Sequence, residues 1–372
     1  METIRTISCK LETALRQKNH IEDTLKAFAD ACNVVAGVGR EKKERRQFTL
    51  HKLCYRVIRE KFGLSANLAV RAIARVAISL KRKPNSIFRP TSIDFDERIF
   101  AFSEKDWSAK LTLLNSREKF YLDIGKYQRN ALAGKHPTSA QLVKRNREYF
   151  LNIQIKEESP EPKKTNSILG IDLGIKKIAV TSDGKSFCGK ELNAYRLLRH
   201  KVRKSLQSNA HKGSPSTQKN CRRILKRLSG KQSRRTKHIN HEISKQIVEH
   251  AKSNNQTIAL ESLKGIRERT NKRLRRSQKG LHNTWSFYQL KSMILYKAQR
   301  VGVPVVEIDP RYTSQICSQC LHVGVRRGES FTCTHCGYRS DADFNGSRNI
   351  AIVGAVFVDP LENSRILSCS LH

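Results

Sequence analysis

Apolar positions change period several times along the chain, and each change predicts a different kind of element. Residues 3–9 alternate and predict a first strand. From 21 to 80 the period becomes helical. Ile21, Leu25, Phe28, Cys32 and Val35 recur at three or four, as do Leu50, Leu53, Cys54 and Val57, with Gly63 as a stop. Ser65 is placed to cap a third helix carrying Ala69, Ile73, Val76 and Leu80, and Lys81-Arg82-Lys83-Pro84 closes this basic helical bundle. Beyond it, Ile93/Phe95, Ala109/Leu111/Leu113, Phe120/Leu122/Ile124 and Leu151/Ile153/Ile155 alternate at period two, which predicts a small antiparallel barrel or sandwich. If the first strand joins that sheet, the bundle is an insertion within it.

Lys156 to Asn166 is charged, carries two prolines and has no apolar period, so it reads as a linker. A second domain starts at Ser167 with Leu169-Gly170-Ile171-Asp172-Leu173-Gly174, an acid inside an apolar strand. Lys177 to Val180, a turn at Ser182-Asp183-Gly184 and Lys185 to Cys188 predict a hairpin. The basic stretch 190–237 allows two exposed helices. Ile239, Ile243, Ile247, Val248 and Ala251 mark an amphipathic helix leading into the strand Thr257-Ile258-Ala259-Leu260-Glu261. Lys264 to Lys279 is nearly devoid of apolar residues and is expected to be a mobile loop. Trp285, Leu290, Ile294, Leu295 and Ala298 predict a helix, 303–309 a strand, and Asn345 to Val356 a last helix. Three strands, helix, strand, helix, strand, helix is the order of a mixed α/β layer of the ribonuclease H type. No internal repeat is apparent.

Composition adds a partner. Lysine and arginine number 72 against 33 acids, a formal charge of +39. Solubility needs a net charge of only roughly 2–8 on a small domain, so an excess spread over the whole chain points to a polyanion. A membrane surface is the other anionic candidate, but no run of about 18 apolar residues and no signal-peptide core occur. The expectation is a protein of a reducing, intracellular compartment, in which ten cysteines do not form disulfides. Six of them are scattered.

The other four are Cys317-Ser318-Gln319-Cys320 and Cys333-Thr334-His335-Cys336, two C-x-x-C knuckles separated by twelve residues. A hairpin of that length brings four thiolates tetrahedrally onto one structural Zn2+. His322 and His335 are nearby but redundant, and a closed thiolate shell leaves no position for substrate. The catalytic candidates are acids. Asp172 lies in the first strand of the second domain, Glu261 ends the fourth, and Asp343 stands where the last helix begins. In a ribonuclease H-like sheet these elements are neighbours, and their carboxylates suit two Mg2+ ions for phosphodiester hydrolysis. Each acid alone has a plainer reading as a turn residue or helix cap. Spacing does not separate Asp343 from Asp341, and Asp309 at a strand end is a further acid that can approach. Around Glu261 the basic residues Arg199, Lys201, Arg203, Lys204, Arg234, Arg235 and Lys237 on one side, and Lys272, Arg273, Arg275 and Arg276 on the other, are candidate contacts to a nucleic-acid backbone.

The motifs Leu169 to Gly174, Leu260-Glu261-Ser262-Leu263, Tyr312-Thr313-Ser314-Gln315 before the cysteines, and Asp341-Ala342-Asp343-Phe344-Asn345-Gly346 stand in an order that resembles the TnpB (OrfB) family of transposon-encoded proteins, kin to compact type V CRISPR effectors. The resemblance covers roughly 167–356. It implies a multidomain α/β, RNA-guided DNA endonuclease: a RuvC nuclease domain at 167–356 with a zinc ribbon inserted at 311–340, a wedge β-barrel at 1–12 and 86–158 interrupted by a recognition bundle at 13–85, a linker at 159–166 and a flexible tail at 357–372. It assigns the triad as Asp172, Glu261 and Asp343, because the second acid of the family's D-x-D-x-N is the catalytic one. Gly346-Ser347 departs from the small residues usual after that Asn. The resemblance also implies a guide RNA from the transposon end, double-stranded target DNA cut beside a short adjacent motif, a monomer, and a place in the prokaryotic cytosol, on the nucleoid when bound to DNA. A CRISPR effector is the alternative. A D-D-E transposase would end its triad in Glu on the last helix, and a cleavage-silent repressor would have lost an acid; neither mark is present.

Overall fold

The computed structural model describes residues 2–163, 165, 167–263, 265 and 286–358. The chain divides into two compact units, 2–158 and from Ser159 onward.

The first unit runs β1 (Glu2–Leu11), α1 (Leu15–Glu41), α2 (Gln47–Phe62), α3 (Ala66–Arg82), β2 (Ser92–Asp96), β3 (Phe100–Ser103), β4 (Ser108–Thr112), β5 (Arg117–Asp123), α4 (Lys126–Leu132), β6 (Ser139–Arg145) and β7 (Glu148–Glu158). The strands form one antiparallel sheet in the order β2-β6-β7-β1-β5-β4-β3. The first strand is central, between β7 and β5, so α1–α3 are inserted between the first two strands of the sheet. Among the described residues no ladder joins β2 to β3. Alternation is obeyed: Ile93, Phe95, Ala109, Leu111, Phe120, Leu122, Leu151 and Ile153 are all buried.

In the bundle, Gly63 ends α2 in the left-handed region, and the Ser65 hydroxyl accepts from the Leu68 N–H to start α3. The buried stripe of α2 differs from expectation. It is Leu50, Cys54 and Ile58, whereas Leu53 and Val57 are 38% and 50% exposed. Two apolar stripes one residue apart both satisfy helical spacing, and packing against α1 and α3 selects the second. Arg75 on α3 reaches Asp94 at 2.7 Å, and Arg71 reaches Asp96 at 2.7 Å, tying the bundle to β2.

The second unit contains β8 (Ser167–Asp172), β9 (Lys177–Thr181), β10 (Ser186–Cys188), α5 (Lys190–Lys212), α6 (Pro215–Leu228), α7 (Lys231–Ser253), β11 (Gln256–Glu261), α8 (Phe287–Val301), β12 (Val305–Ile308), β13 (Val325–Arg327), β14 (Ser330–Thr332), β15 (Arg339–Asp341) and α9 (Ala342–Val358). The main sheet has the order β10-β9-β8-β11-β12, with β8, β11 and β12 parallel and the β8-β9-β10 meander antiparallel. The basic stretch 190–237 supplies α5, α6 and the first turns of α7.

Period two sorts the two faces of this sheet. Leu169, Ile171, Ile258 and Leu260 pack with Ile243 and Ile247 of α7 and Leu290 and Ile294 of α8. Ile168, Ala259 and Val306 pack with Ile350 and Val353 of α9. Gly170 shares this second face, where a Cβ would lie 2.1 Å from the Ser347 carbonyl oxygen. Only glycine permits that approach of helix to strand. By the same alternation Asp172 and Glu261 belong to the face that α9 covers.

Candidate active site

Strand register brings the acids together. In the parallel pair Leu260 lies opposite Ile171, so Asp172 and Glu261 emerge side by side at the carboxyl ends of β8 and β11, where ligands bind in open α/β sheets. Asp343 comes from the first turn of α9. Burial first, then the charges of Glu261 and Asp343, push the Asp172 carboxyl up to about 7, against the opposing pull of Arg326. Burial likewise raises Glu261, partly offset by a hydrogen bond from Thr313 and by Arg326. The Thr313 hydroxyl donates to Glu261 Oε1 at 2.5 Å. Lys291, 8% exposed on α8, donates to the Glu261 carbonyl at 3.2 Å and to Glu307 Oε2 at 2.7 Å. Gly346 faces the same carboxylate, because a Cβ there would stand 3.2 Å from Asp172 Oδ2.

Asp341 and Asp343 have different surroundings. Asp341 accepts the backbone N–H groups of Asp343 (3.1 Å) and Phe344 (3.0 Å), capping α9, and pairs with Lys177. Burial alone would raise its carboxyl, but Lys177 and those N–H groups hold it below the usual range. Asp343 accepts from Arg326 Nη2 at 2.8 Å and adds its charge to that around Asp172. Asp309 is exposed and accepts from the Arg311 N–H of its own turn at 2.9 Å.

The ribbon is the sheet β13-β14-β15 with the knuckles beside it. The four sulfurs of Cys317, Cys320, Cys333 and Cys336 lie within 4.8 Å of one another, with Cys317–Cys336 at 3.7 Å and Cys320–Cys333 at 3.5 Å. Zinc–thiolate bonds of about 2.3 Å place sulfurs roughly 3.8 Å apart, so this donor set fits Zn2+. His322 and His335 stack at 3.6 Å and reach Cys320, a second donor group at the edge of the first. The acids offer carboxylate oxygens instead: burial raises Asp172 and Glu261, like charge adds to the rise at Asp172 alone, and oxygen donors suit Mg2+.

Of the basic candidates, Lys201, Arg203 and Lys204 are exposed on α5, and Arg234, Arg235 and Lys237 on α7. Arg199 and Arg235 both lie over the Tyr195 ring, at 5.8 and 4.6 Å. Arg199, Arg203, Gln207, Gln232 and Tyr288 help line a cavity of about 560 Å³ between the helices. Lys272, Arg273, Arg275 and Arg276 fall outside the described residues, as do Trp285 and, apart from Gly265, the expected loop 264–279. Sequence reasoning missed Arg326, Thr313 and Lys291. Arg326 lay in a ribbon with almost no apolar pattern; the Tyr312-Thr313-Ser314-Gln315 motif was visible but carried no assigned chemistry.

This unit is therefore of a defined class, an α/β sheet with acids gathered at its strand ends and a four-thiol ribbon before its last helix. The fold is the one seen in a solved Cas12f1–sgRNA–target DNA complex, which superposes with a TM-score of 0.67 over 91% of this chain and 83% of that one at 16% identity. Residues 152–267 match the family model described as "Probable transposase" (OrfB_IS605), and 287–350 the model "Cas12f1-like, TNB domain". Over these segments the chain is similar to the OrfB (TnpB) family and to the Cas12f proteins. The CRISPR-associated endodeoxyribonuclease Cas12f1 of Sulfoacidibacillus thermotolerans is 33% identical over 59% of this chain and 54% of its own length. The TnpB-like protein MJ0751 of Methanocaldococcus jannaschii is 27% identical over 51% of this chain and 69% of its own. "Putative RNA-guided DNA endonuclease InsQ" of Escherichia coli K12 is 28% identical over 55% and 54%. The chain thus spans about half the length of the first of these relatives. No helix among the described residues is long and apolar enough to cross a membrane.

Proposed function

We propose that this chain is a transposon-encoded, RNA-guided DNA endonuclease that hydrolyses phosphodiester bonds at Asp172, Glu261 and Asp343. The observation that carries this reading is the pairing of Asp172 and Glu261 at neighbouring strand ends, near enough to Asp343 of α9 that burial and the charges of both drive Asp172 up to about 7. Such a cluster calls for cationic compensation beyond Arg326. Two Mg2+ ions bound there would activate the attacking water and stabilise the leaving oxygen. In this reading residues 167–356 are a RuvC-like domain, and a zinc-bound ribbon at 311–340 supports Asp343. The sheet and bundle of 2–158 are the wedge and recognition elements. Asp172, which feels the charge of both other acids, would be a ligand to these ions.

Arg199, Arg203, Arg234 and their neighbours hold backbone phosphates through charge, independent of sequence. The guide RNA supplies sequence by pairing, and the protein reads duplex shape and the adjacent motif. The chain acts as a monomer in the cytosol. Support comes from the names of its relatives and from the +39 charge.

The test is to sequence the RNA that copurifies and offer the complex a DNA library matching it, with Mg2+. Cutting by wild type and not by Asp172→Ala, which still binds RNA, is the expected result; cutting by both sinks the assignment. The second reading, a compact CRISPR effector, is favoured by the 33% identity to a Cas12f1. Repeat–spacer RNA in the copurified fraction supports it, whereas RNA overlapping the gene's own end supports the first.

A further inference from the structure

Tyr312-Thr313-Ser314-Gln315 is the one motif of the second unit that the proposed chemistry leaves unused. Thr313 is 3% exposed, and its hydroxyl stands 2.5 Å from Glu261 Oε1 and 3.1 Å from the Pro310 carbonyl. The plain explanation is a buried hydroxyl that takes the nearest acceptor. Pro310 alone would meet that need, yet the shorter approach is to the carboxylate. A hydroxyl has one proton to give, and a bond to an ionised acceptor is the stronger use of it. That bond occupies Oε1.

The segment is also held from the other side. Asn349 donates to the Thr313 carbonyl at 2.8 Å and the Ile316 carbonyl at 2.7 Å; Asn345 donates to Ile316 at 2.7 Å and accepts the Ser318 N–H at 2.9 Å. Both asparagines are buried and stand four residues apart on α9, so they share one face of the helix whose first turn carries Asp343. Tyr312 sits at φ 64, a left-handed conformation that non-glycine residues adopt only when their surroundings impose it.

We propose that Thr313 is a positioning residue: it fixes the Glu261 carboxylate and, through Asn349, sets its spacing from Asp343. The inference rests on the acids being the divalent-metal site. Thr313 touches no substrate, and its effect passes entirely through Glu261.

The test is Mn2+ binding to the full-length, zinc-loaded protein, followed by electron paramagnetic resonance without nucleic acid. Thr313→Val, nearly isosteric, and Thr313→Ala should both bind Mn2+ about 10–100-fold more weakly, the usual cost of losing a partner behind a metal ligand. Thr313→Ser should bind as wild type does. Wild-type affinity in a folded Val or Ala variant overturns the inference, as does weak binding in a folded Ser variant. Failure of both Val and Ala variants to fold, judged by circular dichroism, overturns it too, because the hydroxyl is then structural. Asp172→Ala separates the premises. If it weakens Mn2+ binding while Thr313→Val does not, only the role of Thr313 fails; if it leaves binding unchanged, the metal site itself is wrong.

Discussion

Arg326, on a strand of the ribbon, donates to Asp343 Oδ1 at 2.8 Å, so the cysteine-bearing insertion contributes a cation directly to the acid cluster. Its charge also draws down the carboxyls of Asp172 and Glu261. In the metal-free protein it is the cation that offsets their mutual repulsion.

Replacing Arg326 with Ala should therefore destabilise the metal-free protein by about 1–2 kcal/mol, the worth of a partly exposed charged hydrogen bond. Saturating Mn2+ should recover most of that loss by supplying the missing charge. Thermal melts at pH 8 with and without Mn2+ measure both. Equal destabilisation in the two conditions would show that Arg326 only packs the ribbon.

Asp341 and Asp343 should separate by phenotype. Asp341→Ala removes a helix cap and the Lys177 pair, so its main effect is a stability loss of about 1–2 kcal/mol, with metal-dependent cleavage retained below the melting temperature. Asp343→Asn should fold normally and not cut. The reverse pattern in melts and cleavage assays would transfer the catalytic role to Asp341.

The raised carboxyl of Asp172 gives the metal-free protein a distinctive pH dependence. Its folded value of about 7 exceeds the ordinary 3.8, so the folded state binds the extra proton between those limits. Stability from this group is complete below the lower limit and is lost as pH rises through the upper. Between pH 5 and pH 8 the loss is on the order of 2 kcal/mol. Denaturation midpoints in EDTA should fall over that range, and Asp172→Asn should flatten the slope. A wild-type slope in that variant would assign the proton elsewhere.

Zinc loss should be felt in α9. Asn345 and Asn349 bind the chain at 313–318, which runs into the first knuckle, so Cys336→Ser should lower amide-exchange protection along α9 as well as in the ribbon. Elemental analysis should find one zinc in the native protein and none in this variant. Unchanged protection in zinc-free α9 would mean that ribbon and helix are independent.

Much of this arrangement was legible in the residues because it depends on local periodicity. Period two gave the strands around Ile93, Phe120 and Leu151, and turn residues gave the hairpin at Ser182-Asp183-Gly184. The short elements β3, α4 and β6 were not anticipated, and neither was the selection of Ile58 over Val57 on α2. These are decided by what lies across the core. The roles of Arg326 and Thr313 were hidden for a related reason: each is defined by an acid far away in sequence, and no pattern within the ribbon encodes it. The Gly346-Ser347 departure has a local cause, since glycine at 346 clears space for the Asp172 carboxylate and the Ser347 backbone meets Gly170.

The distribution of the acids over β8, β11 and α9 also imposes an order in time. A ribosome that has passed Glu261 has already made the basic helices α5, α6 and α7 and two of the three carboxylates, but neither the ribbon nor Asp343. A chain interrupted between Glu261 and Asp343 carries the basic helices without the complete acid cluster. Assembly of the cluster thus waits for translation of the ribbon.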